Sequence, residues 1–110
     1  MNITEREEKG ASVFTLEGRI DSQGAISLDE ALQAAVSAGK HKMVLDMAEV
    51  NYISSAGLRT LADIITKNTE KGGDLKLVAL HRKVLRVFRI IGFDKLFPLY
   101  DTVKEAIADF

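Results

Sequence analysis

The sequence predicts an α/β fold: four strand-helix units forming a mostly parallel sheet with helices packed against it, plus an N-terminal strand in an antiparallel hairpin. Three observations carry this expectation. Strand and helix periodicities alternate along the chain, short glycine-marked turns separate them, and the middle strands are apolar almost throughout, as strands covered by helices are. No repeat, low-complexity stretch or linker interrupts the pattern, so residues 1–110 are expected to form a single domain.

The elements follow in order. A short polar strand near residues 2 to 8 meets a turn at Lys9-Gly10 and returns as Ser12 to Glu17, whose alternation predicts one wet face. Ser27-Leu28-Asp29-Glu30 fits a capping box, so the first helix is expected to start there, with Leu28, Leu32, Ala35 and Val36 inward and Gly39 at its end. Lys42 to Met47 reads as a buried strand whose polar end includes Asp46. A second helix follows, from about Leu58 to Glu70, with an apolar stripe of Leu58, Leu61, Ala62 and Ile65. Leu75 to Ala79 is a strand, Val84 to Ile91 a short helix stopped at Gly92, Phe97 to Tyr100 a brief strand and Thr102 to Ala108 a last helix.

Composition narrows the chemistry. The 110 residues contain no cysteine, which removes disulfides, thiolate metal sites and cysteine nucleophiles and is compatible with a reducing cytoplasm. Fifteen Lys and Arg against sixteen Asp and Glu leave a net charge of -1, so no global field draws the chain to nucleic acid or anionic lipid. His41 and His81 lie far apart, without the spacing of a metal motif, and no cofactor is expected. The charged N-terminus lacks the apolar core of a signal peptide, and no run is long enough to span a bilayer; the expected location is cytoplasmic.

In parallel α/β sheets, functional loops lie beyond the carboxyl ends of the strands. Among these, Asn51 to Leu58 is the most unusual, because Ser54, Ser55, Ala56 and Gly57 stand immediately before an apolar helix. Ser54 or Ser55 could serve as an N-cap. The same free amides and helix dipole also favour an anion, including a phosphate carried by the serine itself. A nucleophile elbow is disfavoured, since Ile53 occupies the first glycine position of Gly-x-Ser-x-Gly, and His81 with Asp46, Asp94 or Asp101 has no supporting spacing. Gly72-Gly73 lacks the Lys and Ser/Thr of a phosphate-binding loop. Asp21 could cap a turn or aim a carboxylate toward Ser55. Arg82, Arg86 and Arg89, with Lys83, form a cationic helix face that is either simply solvated or a docking patch for an acidic partner or phosphates.

Several of these stretches, taken together, resemble one family. Leu16-Glu17-Gly18-Arg19-Ile20-Asp21, Val44-Leu45-Asp46, Ser54-Ser55-Ala56-Gly57-Leu58, Gly72-Gly73-Asp74-Leu75-Lys76-Leu77 and Val84 to Phe88 with Gly92 follow the order and spacing of a STAS domain, as in bacterial anti-sigma factor antagonists. The resemblance implies the STAS fold and a partner-switching regulator of transcription rather than an enzyme. Unphosphorylated, such a protein binds a serine-kinase anti-sigma factor; phosphate on the loop serine, Ser55 by position, ends binding until a PP2C-type phosphatase removes it. Partner contact is implied for Asp21, Ser54, Ser55, Ala56, Gly57 and Arg59. This chain departs from the common Asp-Ser-Ser/Thr-Gly-Leu loop, having Ser54 for the aspartate and Ala56 for the second hydroxyl. STAS domains also serve lipid-transport and stress-signalling complexes, so a non-cycling scaffold is the second expectation, and a nucleotide-binding module the third.

Overall fold

The computed structural model describes residues 1–110. Strands β1 (Asn2–Glu8), β2 (Ala11–Glu17), β3 (Lys42–Glu49), β4 (Asp74–Val78) and β5 (Leu99–Tyr100) form one sheet in sequential order. Only the β1-β2 pair is antiparallel; the other three are parallel, as expected. Lys9 and Gly10 both take positive φ, the conformation of a two-residue hairpin turn.

Helices α1 (Ser22–Ser37), α2 (Ser55–Glu70) and α3 (Arg82–Ile91) contribute to the main core with the inward residues of the strands. Phe14, Leu16, Met43, Leu45, Leu75 and Leu77 alternate onto that face. The other face carries only α4 (Val103–Ala108), whose Ala106 packs with Val13, Val44 and Val78.

The small second cluster corrects the expectation of a wet face on β2. Val13 is buried there as completely as Phe14 is on the main face, because Val44 and Val78 of the neighbouring strands and Ala106 of α4 pack in the same cluster. Water is left to β1, exposed along its length except at Ile3. β3 also runs further than expected, so Asp46 is not at its end; the half-buried carboxylate accepts the Ala48 N–H at 3.2 Å.

Two other boundaries differ. α1 begins at Ser22, because Asp21 supplies an earlier cap, and Ser27 lies exposed within the helix. After α3 stops at Gly92, Phe93–Lys95 form a single 3-10 turn and Phe97 leaves the ladder to join the core. The Phe88, Phe93 and Phe97 rings pack with centroids 5.8 to 6.1 Å apart. Burying these rings outweighs a longer β5, and Pro98 has no N–H to extend the ladder.

Two buried polar side chains hold the frame. The Asn68 amide donates to Asp74 O at 3.1 Å, and its oxygen lies 3.3 Å from His41 Nδ1. Lys76 donates to Ala106 O at 2.8 Å and sits 3.8 Å from the Phe110 ring centre. Burial pushes the Lys76 ammonium below the usual lysine range, against the pull of Asp109 and Asp74. Burial also raises Tyr100 above the usual phenol range, assisted by its hydrogen bond to Asp109 at 2.9 Å.

Candidate functional site at the paired helix starts

The β2-α1 and β3-α2 loops leave the same edge of the sheet and are stitched together. Gly18 N–H donates to Glu49 O at 3.1 Å, Ile20 N–H to Tyr52 O at 3.0 Å and Ser54 N–H to Ile20 O at 2.7 Å. Ile20 and Ile53 form an isolated parallel bridge, with both side chains buried beneath the loops. Above them the Arg19 guanidinium lies 4.1 Å from the centre of the exposed Tyr52 ring, a cation-π contact. Backbone bonds that would otherwise face water are thereby satisfied between two loops far apart in sequence.

Each loop delivers a helix start with the same cap. Asp21 Oδ1 accepts the Gly24 N–H at 2.8 Å, and Ser54 Oγ accepts the Gly57 N–H at 3.2 Å, both from extended residues. The open choice between the two serines is thus decided: Ser54 is the N-cap. Ser55 is the first residue of α2, exposed, and its hydroxyl has no hydrogen-bond partner in the chain. The Ser55 and Ala56 N–H groups are likewise free, so the unoccupied serine hydroxyl of the loop stands at the positive end of the helix dipole.

Gly57 allows this arrangement. A Cβ there would lie 2.6 Å from Ile20 Cγ2 and 2.9 Å from Ile53 Cγ1, so the first turn of α2 touches the buried bridge only because the residue has no side chain. The partner helix start has the same property, with a Cβ on Gly24 falling 2.5 Å from Arg19 O.

Further along, α1 and α2 are joined by Gln33, which donates to Asp63 at 2.8 Å and accepts from Lys67 at 2.9 Å. Between the loops and this contact lies an open groove of about 550 Å³, bordered by Ala25, Ile26, Ala56, Arg59 and Thr60. Ile26 stands 55% exposed on its wall. The structure therefore brings Asp21, Ser54, Ser55, Ala56, Gly57 and Arg59 to two adjacent helix starts and the groove that continues from them. Asp21 acts as a cap, the structural one of its two expected readings.

No catalytic relay links the loop to a histidine. His81 Nδ1 accepts the Lys83 N–H at 3.1 Å as the cap of α3, and neither Ser55 nor an aspartate bonds to it. Sequence reasoning missed Ile26, Tyr52 and the Arg19-Tyr52 stack. Their apolar or cationic character was visible, but their neighbourhood arises only from the pairing of loops.

Comparison with known proteins agrees with this architecture. BtrV of Bordetella bronchiseptica, assigned by name to the anti-sigma factor antagonists, is 34% identical over 110 residues, covering 100% of this chain and 95% of BtrV. The anti-sigma-F factor antagonist RsfB of Mycobacterium tuberculosis is 29% identical, covering 97% of this chain and 87% of RsfB. The crystal structure of an anti-sigma factor antagonist from Mycobacterium paratuberculosis superposes with a TM-score of 0.88 at 30% identity, covering 98% of this chain and 92% of that one. The family model of the STAS domain matches residues 2–106, and the chain belongs to the STAS domain family.

Proposed function

We propose that this protein is an anti-sigma factor antagonist that works by partner switching in the cytoplasm. In its free form it binds a serine-kinase anti-sigma factor across the paired helix starts, using Asp21, Ser54, Ser55, Ala56, Gly57 and Arg59. Transfer of the ATP γ-phosphoryl group to Ser55 Oγ, with release of its proton and ADP, ends that binding. A PP2C-type phosphatase hydrolyses the ester and restores the free form. The chain is the substrate of both reactions and the catalyst of neither.

The observation that carries this reading is the division of labour between the two serines. Ser54 is occupied as the cap, whereas Ser55 is exposed and unbonded, with its own N–H and that of Ala56 free. A phosphate there brings about -1.5 to -2 charges to a surface that was neutral at that atom. The helix start tolerates this anion, but a partner packed against it must desolvate or repel it, which favours release. The names of the relatives support the antagonist role.

Incubation with the cognate kinase and ATP tests the proposal by intact-protein mass. One added phosphate is expected, absent from Ser55→Ala and retained in Ser54→Ala. Phosphate on Ser54 overturns the site, and an unchanged wild-type mass leaves the non-cycling scaffold as the better account.

A further inference from the structure

The cationic face of α3 takes no part in the site described above, and its charges are not compensated within the fold. Residues 82–95 contain Arg82, Lys83, Arg86, Arg89 and Lys95 against the single acid Asp94, an excess of four positive charges in a chain whose net charge is -1. The ion pairs of the structure are Arg6-Glu8, Lys40 with Glu5 and Glu7, and Lys67-Asp63; none includes these five. The near-neutral total therefore conceals a segregated field.

The arrangement of α3 adds an apolar component. At about 100° per residue, Arg82, Lys83, Arg86, Arg89 and Ile90 share the outward arc, opposite the buried Val84 and Phe88. Ile90 is 74% exposed, the most exposed large apolar side chain in the chain, and Ile91 and Leu96 follow it at 46% each. The groove beside the serine loop, at about 550 Å³, is not bordered by Arg82, Arg86, Arg89, Ile90, Ile91 or Leu96, so the cationic face is separate from it.

We propose that this α3 face binds the surface of an anionic lipid bilayer. The guanidinium and ammonium groups meet headgroup phosphates, and Ile90 enters the headgroup layer. A bilayer suits an exposed helix face because its anions rearrange laterally to match the cations. A nucleic-acid backbone would satisfy the charges but give the isoleucines no apolar environment. Because β4 and β5 are parallel, α3 starts at the edge that carries the serine loop and ends at the opposite one.

Sedimentation of the full chain with phosphatidylglycerol-rich vesicles at about 0.15 M salt tests this, with phosphatidylcholine vesicles alongside. Binding is expected to the first and not the second. Arg86→Glu/Arg89→Glu is expected to weaken it by about tenfold or more, and Arg86→Gln/Arg89→Gln by less in the same direction. Ile90→Ser is expected to weaken it several-fold, whereas Arg6→Glu/Lys104→Glu, an equal charge change on the α4 face of the sheet, leaves it within about twofold. All the substituted residues are exposed, and each variant is first shown to unfold at the wild-type urea midpoint. Absent or equal binding to the two vesicle types overturns the proposal. So does equal loss in the Arg6/Lys104 variant, or full binding by Ile90→Ser, which would favour an acidic protein or nucleic acid instead.

Discussion

Gly57→Ala sets two effects of opposite sign against each other. In an open helix, alanine for glycine stabilises by up to about 1 kcal/mol, and less in the first turn. Here the new Cβ falls 2.6 Å from Ile20 Cγ2 and 2.9 Å from Ile53 Cγ1. Ordinary carbon contacts lie at about 3.5–4.0 Å, so both isoleucines must retreat by roughly 1 Å. Neither can move freely, since both are buried and their loops are tied by Ile20 N–H to Tyr52 O and Ser54 N–H to Ile20 O. Overpacking of this kind costs about 1–3 kcal/mol, which leaves a net destabilisation of about 1–2 kcal/mol. Urea unfolding followed by circular dichroism measures it as a lower midpoint at unchanged slope. The cycle with Ile20→Ala then tests the cause: in that background the cost of Gly57→Ala should shrink by at least about 0.5 kcal/mol. Unaltered or greater stability of Gly57→Ala, or strict additivity in the cycle, refutes the close-approach argument.

The two loop serines should separate in stability as they do in hydrogen bonding. Ser54→Ala is expected to cost about 1 kcal/mol in urea unfolding through loss of the cap, and Ser55→Ala to stay within about 0.5 kcal/mol of wild type. Equal costs would contradict the assignment of the cap. At alkaline pH, Lys76 and Tyr100 act in opposite directions. Because the folded pKa of Lys76 is lowered, the unfolded chain binds its proton more readily. The resulting penalty is full well below the ordinary lysine value and fades as pH rises towards 10.5. Wild type should therefore gain stability relative to Lys76→Met over that interval, and a constant difference in thermal melts would count against the burial. Tyr100 holds its proton longer when folded, so its contribution is present below pH 10 and is lost as pH rises above that value. The stability difference from Tyr100→Phe should shrink only there.

Much of the architecture could be read locally. Lys9-Gly10 announces its hairpin and Gly92 its helix end, because each is a property of one or two backbone positions. The serine loop was likewise legible, as small hydroxyl residues before an apolar periodic stretch. Errors came where two local signals competed. Ser27-Leu28-Asp29-Glu30 is a credible capping box, but Asp21 reaches the Gly24 amide one and a half turns earlier, and the helix takes that start. Phe97 is a good strand residue that instead packs with two other phenylalanines, a gain that no window around it displays. The alternation in β2 suggested water on one face, while Ala106 of α4, far along the chain, helps to close it.

The amino-acid order dictates the succession of strands and helices, the parallel sheet that such a succession winds into, and the presence of a serine at a helix start. These depend on periodicity and turn chemistry, which act over a few residues. Which serine is free, which helix turn lies against the Ile20-Ile53 bridge, and which cations stay uncompensated were decided only when distant segments met. A cap requires one extended residue held at one place, and here the neighbouring loop holds it through Ser54 N–H to Ile20 O. Net charge is a sum that carries no positions, so the cationic stripe of α3 is legible in the sequence, but that it forms no ion pair is decided only once the fold has placed the acids elsewhere.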